Sequence, residues 1–179
     1  MAKCKNCKQE YKKYQPLQTV CGYECSIELS KARMETKKAK AWAKEKSKRK
    51  EALKTNSDYV RELQAIFNMY IRLRDKHKGC ISCGKSLLGK YDAGHYYSTG
   101  SYPELRFNED NVHGQCVHCN QHKRGNLLEY RERLKDRIPT DRFVTLNMLK
   151  NTPRKYTIEE LKELKEVYKQ KIKEFEIKH

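Results

Sequence analysis

The feature that most restricts what this chain can fold into is eight cysteines in four close pairs: Cys4/Cys7, Cys21/Cys25, Cys80/Cys83 and Cys116/Cys119. Cysteines separated by two or three residues hold both thiolates on one side of a tight turn, the shape of a metal knuckle. In chain order the pairs combine into two quartets, and a Cys4 quartet is a closed tetrahedral zinc site. Disulfides are the rival use of such pairs. The N-terminus MAKCKNCKQE has no apolar signal segment, however, and no run reaches the eighteen apolar residues of a membrane span. The expected setting is a reducing cytoplasm, with two structural Zn²⁺ ions, no membrane and no organic cofactor.

The remaining composition leaves little for a large core. Of 179 residues 37% are apolar and 35% charged, with a mean hydropathy of -1.04. Formal net charge is +17, and residues 1–56 alone carry 16 Lys and Arg against 6 Asp and Glu. Two zinc ions on eight thiolates would still leave about +13. A field of that sign and size favours a polyanion, of which nucleic acid is the commonest.

Four segments follow along the chain, and the expected class is a mainly helical α+β fold. Residues 1–30 form an N-terminal Cys4 zinc module, a loop too short to fold without its metal. Residues 31–56 lack Gly and Pro, are rich in Ala, Lys and Glu, and read as an exposed basic helix or linker. Lys37, Lys38, Lys48, Arg49 and Lys50 there are candidate phosphate contacts. Residues 57–138 open with a helix carrying Val60, Leu63, Ile66, Phe67, Tyr70 and Ile71 at helical spacing. The order knuckle, strand, loop, strand, knuckle, helix then makes a ββα unit pinned by the second quartet. In residues 139–179, Thr157 and Glu160 have capping-box spacing, and Tyr156 and Leu161 suit a hydrophobic staple. Ile158, Leu161, Leu164, Tyr168, Ile172 and Phe175 make a stripe that either covers the core or joins a second chain as a homodimer.

A closed zinc site has no open position, so any chemistry must come from residues held beside it. Asp92, His95 and Asn120 qualify. His95 lies on the first strand, and Asn120 follows the last zinc ligand at the expected start of a helix. Carboxylate and amide oxygens suit Mg²⁺ or Mn²⁺, and a neutral imidazole can take a proton from water. Alone, His95 would read as a packed histidine and Asn120 as a helix cap; their combination with the quartet points to chemistry. Positions 92 and 95 face opposite ways on a regular strand, so a bulge at Gly94 is required if both serve one metal. Glu109, Asp110 and His122 are the alternative ligands. Arg106, Lys123 and Arg124 are candidate DNA contacts, His113 and His118 bystanders, and Tyr96 and Tyr97 packing residues.

The segments DAGHYYSTG, PELRFNEDNVHGQC and CNQHKRGN resemble the HNH, or ββα-metal, nucleases. Within that class the CVHCN ending resembles the junction-resolving endonuclease VII group. With CISCG, IFNMYIRLRD, the N-terminal quartet and the terminal IEELK helix, the chain is most similar to the NinG (Rap) family of lambdoid phages. The resemblance implies a metal-dependent endonuclease acting in recombination on branched DNA such as Holliday junctions, in the cytoplasm of a bacterial host. It implies His95 as general base, Asn120 as ligand of a catalytic Mg²⁺ or Mn²⁺, and Asn111 as the middle asparagine that ties the inter-strand loop. Asp92 would be the second ligand, because Gly94 stands where many of these sites have an Asp or His. A zinc-bearing recombination mediator that binds DNA without cutting it is the alternative, and an adaptor contacting RNA or protein the third.

Overall fold

The computed structural model describes residues 1–150 and 152–178. The chain divides into two units, Met1–Lys54 and Thr55–His179.

In the first unit β1 (Ala2–Lys3) pairs antiparallel with β2 (Glu10–Tyr11), and this small ribbon presents the first knuckle. Buried Tyr11 donates its hydroxyl to the Gln18 carbonyl at 2.8 Å, closing the loop that leads to the second pair. The helix α1 (Tyr23–Ala52) starts inside the quartet, so Cys25 stands on its first turn. None of its residues is buried. Its helicity rests on Ala, Lys and Glu propensity and on exposed pairs such as Glu45–Arg49 at 3.0 Å, each worth only about 0.3–0.5 kcal/mol.

The second unit is framed by two helices with matching starts. In α2 (Asn56–Asp75) the Asp58 carboxylate accepts the Thr55 backbone N–H at 2.9 Å. In α5 (Ile158–Lys178) Glu160 accepts the Thr157 N–H at 2.9 Å, and Thr157 Oγ1 accepts the Glu160 N–H at 3.2 Å. Leu63, Phe67, Tyr70 and Ile71 of α2 pack against Leu161, Tyr168 and Ile172 of α5, with Phe67 edge-on to Tyr168 at 4.9 Å between ring centroids. Each such side chain contributes about 1.5–3 kcal/mol by leaving water. The apolar stripe of the terminal helix therefore covers the core of its own chain.

Against this frame lies a hairpin of β3 (Tyr91–His95) and β4 (Val112–Cys116). Ala93 and Val112 face the α2–α5 core. The opposite face meets α3 (Leu127–Arg137), whose fully buried Tyr130 donates its hydroxyl to the Gly94 carbonyl at 2.9 Å. Leu146 of α4 (Thr140–Leu149) packs with Tyr130, Leu134, Ile138 and Leu105 in a second core. Arg74 and Asp75 at the end of α2 satisfy the outer edge of β4. Arg74 donates to the Val112 carbonyl at 2.8 Å, and Asp75 accepts the Gly114 N–H at 2.8 Å. Burial alone would raise the Asp75 pKa, but the Arg74 guanidinium and the Gly114 N–H hold it well below the usual carboxylate range.

Two features differ from what the sequence predicts. The ladder runs unbroken from Tyr91–Cys116 to His95–Val112, so no bulge exists at Gly94, and Asp92 and His95 sit on opposite faces. Gly94 serves close approach instead: a Cβ there would lie 2.1 Å from Gln115 Oε1. Nor does an α-helix begin at Asn120. That residue lies in a π-turn (His118–His122), followed by three left-handed residues, Arg124, Gly125 and Asn126, at φ 49°, 89° and 45°. The turn keeps the second knuckle compact before α3 starts at Leu127.

Candidate functional site

The two quartets assemble as sulfur clusters. In each, one Sγ from every cysteine lies within 4.8 Å of the others. The spacings are 3.6 Å for Cys7–Cys21, 3.5 Å for Cys21–Cys25 and 3.9 Å for Cys83–Cys116. Zn–S bonds of about 2.3 Å in a tetrahedron put sulfurs about 3.8 Å apart, so both sets fit Zn²⁺. Their electrostatics fit a cation too. Burial would raise the Cys80 thiol, yet the backbone N–H groups of Cys83, Cys116 and Ser82 bring it down to about 7. Burial, then the neighbouring Cys116 and Cys83 sulfurs, push Cys119 up to about 12. Four thiols this close do not all ionise without a cation between them.

The second quartet fixes a small cleft beside β3, which pairs with a strand on one edge only. This cleft, about 690 Å³, is lined by His95 and Asn120 together with Ala93, Tyr97, Arg124, Leu128 and Arg131. His95 Nε2 lies 3.1 Å from the Arg106 carbonyl oxygen. A carbonyl only accepts, so this contact favours the tautomer with the proton on Nε2 and the basic lone pair on Nδ1. Burial pushes the His95 pKa below its usual value against the pull of that carbonyl, and the Arg106 charge deepens the depression. The ring is thus neutral at physiological pH.

Asn120 is tied to β3 from the other face. Its Nδ2 donates to Asp92 Oδ2 at 2.9 Å, and Gln121 Nε2 donates to the same oxygen at 2.8 Å. Asp92 and Asn120 are therefore together, while Asp92 lies outside the lining of the His95 cleft, beside Arg72 and Lys90. Buried Asn111 spans the inter-strand loop: its Nδ2 donates to the Tyr97 and Leu105 carbonyls at 3.0 Å each, and its Oδ1 accepts the Tyr97 N–H at 2.7 Å.

The alternative ligands are engaged elsewhere. Glu109 accepts from Tyr70 and from Lys171 of α5, Asp110 pairs with Arg142, and exposed His122 stacks loosely on His118 at 5.9 Å. His113 is buried against Tyr130, and burial presses its pKa down to about 3. Tyr96 packs tilted against Tyr97 and Tyr130, at 4.6 and 5.5 Å between ring centroids, and Tyr97 meets Tyr102 edge-on. Arg106 bonds Gln64 and the Thr99 carbonyl, whereas Lys123 and Arg124 are exposed. Lys37, Lys38, Lys48 and Lys50 are exposed on α1, and Arg49 there pairs with Glu45.

Sequence reading did not single out Arg131, Gln121 or Gln115. Arg131 reaches the cleft because the left-handed turn re-aims α3, which no periodicity signals. Gln115 had one available signal, a large polar residue on the strand position that the ββα order makes inward-facing.

A hairpin and π-turn gathered around one cysteine quartet in a helical frame, with a second quartet in the N-terminal unit, define a mainly helical α+β protein with two Cys4 groups that could hold Zn²⁺. Residues 1–178 match the sequence model described as bacteriophage lambda NinG protein, and the chain belongs to the NinG family. It is 47% identical over 126 residues to protein ninG of Escherichia phage lambda, covering 70% of this chain and 61% of that protein. With protein ninG of Escherichia phage 933W it shares 38% identity over 186 residues, 96% of this chain and 92% of the relative. With that of Salmonella phage P22 it shares 43% over 128 residues, 70% and 62% of the two chains. No solved structure matches it. Among the described residues no helix is long and apolar enough to cross a membrane.

Proposed function

We propose that this protein is a metal-dependent endonuclease of the HNH, ββα-metal type, cutting branched DNA formed during recombination in the host cytoplasm. The observation that carries the reading is the pairing, in one cleft, of His95, held at Nε2 by the Arg106 carbonyl, with Asn120, which bonds the Asp92 carboxylate. His95 Nδ1 takes the proton of a water molecule aligned with the scissile phosphorus. The Arg106 carbonyl holds the ring and stabilises the imidazolium that forms. Asn120 and Asp92 offer oxygens to Mg²⁺ or Mn²⁺, which when bound supplies positive charge for the departing 3′ oxygen. Arg124 and Arg131 line the cleft and contact phosphates, and the basic α1 adds sequence-independent affinity. The two zinc ions hold shape only.

The test is a gel assay on labelled four-way junction and linear duplex with Mg²⁺ or EDTA. Metal-dependent cutting that prefers the junction supports the endonuclease. Binding without cutting in every metal supports the second reading, a recombination mediator on the same frame. That second reading has its own support: no carboxylate precedes His95, since position 94 is glycine.

A further inference from the structure

We propose that Gln115 Oε1 is an oxygen ligand of the divalent-cation site, delivered from β4 into the space that a side chain at position 94 would occupy. The inference rests on the endonuclease reading for the existence of that site. It begins with an orphan. Gln115 is fully buried, and among the described residues its Oε1 has no hydrogen-bond partner. Its Nε2, by contrast, donates to both Ser82 Oγ and the Gly125 carbonyl at 2.6 Å. Those two acceptors fix which end of the amide is oxygen, because a flipped amide would set oxygen against the Gly125 carbonyl oxygen. An acceptor buried without a partner costs about 1–3 kcal/mol, and such a group is completed by a bound water or ion.

The orphan lies on the right face. Gln115 is the register partner of Asp92, so the two side chains project from the same side of the hairpin. Gly125, which accepts from Gln115, donates its own N–H to the Asn120 carbonyl at 3.0 Å, and Asn120 Nδ2 bonds Asp92 Oδ2. Gln115, Asn120 and Asp92 thus form one connected group around the second quartet. Gly94 explains itself in the same terms. Its φ is not positive, so its backbone does not need glycine. Its space does, because any Cβ would meet Gln115 Oε1 at 2.1 Å. Two amide oxygens and one carboxylate make a hard, singly charged donor set, of the kind that leaves several positions to water on Mg²⁺ or Mn²⁺.

The experiment measures Mn²⁺ binding to the zinc-loaded full chain without DNA, by the loss of free-Mn²⁺ electron paramagnetic resonance signal. Zinc content is assayed in parallel. Gln115→Met keeps the length and removes the oxygen. Its Mn²⁺ affinity falls at least about tenfold with zinc content unchanged, the scale on which even outer partners of a metal ligand act. Equal affinity overturns the inference while leaving the cation site intact. If the wild type takes up no Mn²⁺ beyond its zinc, the cation site itself fails. Should Gln115→Met not fold, Gln115→Glu decides. It retains Oε1 and adds charge, so Mn²⁺ raises its melting temperature more than it raises that of the wild type. A smaller or equal rise overturns the proposal.

Discussion

His95 Nε2 sits 3.1 Å from the backbone carbonyl oxygen of Arg106, so a residue eleven positions away favours the tautomer in which Nδ1 is basic. His95→Ala is expected to abolish metal-dependent cutting while zinc content and junction affinity stay at wild-type levels. The checks are single-turnover cleavage and a binding titration in EDTA. Loss of zinc or of junction binding in this variant would make the residue structural.

Asp92 accepts from both Asn120 and Gln121, on the face of β3 opposite His95. Asp92→Asn keeps the shape and removes the charge. The variant should need much more Mg²⁺ and be partly rescued by Mn²⁺, which binds such sites more tightly. Cleavage measured across a Mg²⁺ series checks this. Wild-type Mg²⁺ dependence would take Asp92 off the metal.

His113 predicts a specific acid instability. Its folded pKa is pressed to about 3, while the unfolded imidazole protonates near 6.5. Below about 6.5 the unfolded chain binds a proton that the folded chain refuses, so this contribution is complete above that pH and is lost as pH falls toward 3. His113→Gln cannot titrate. Its melting temperature should therefore drop less than that of the wild type between pH 7 and pH 5. Parallel curves would assign the acid loss to other groups.

Helix α1 has no buried residue and carries its cations in solvent. Neutralising Lys37, Lys38, Lys48 and Lys50 to Gln in the full chain should flatten the salt dependence of DNA affinity. Four lost phosphate contacts reduce the log–log slope by about 3 to 4 on duplex DNA. An unchanged slope would leave α1 as a solubility device.

Much of this protein was legible in its sequence because the signals are local. Cysteine spacing alone marks both quartets, since a knuckle is a property of one turn. The apolar stripes of α2 and α5 and the Thr157–Glu160 box are periodic or adjacent features, and both helices lie where those features put them. What tertiary structure alone decided lies across elements. An unbroken β3–β4 register, not a bulge, puts Asp92 and His95 on opposite faces, because strand pairing depends on which residues meet across the ladder. Three left-handed residues after the π-turn delay α3 and carry Arg131 to the cleft, a path that helix propensity cannot express. The meaning of Gly94 appears only beside Gln115: one residue is small because the other, 21 positions away, fills its place. Sequence records what each segment prefers, whereas shared space between distant segments is fixed only when they pack.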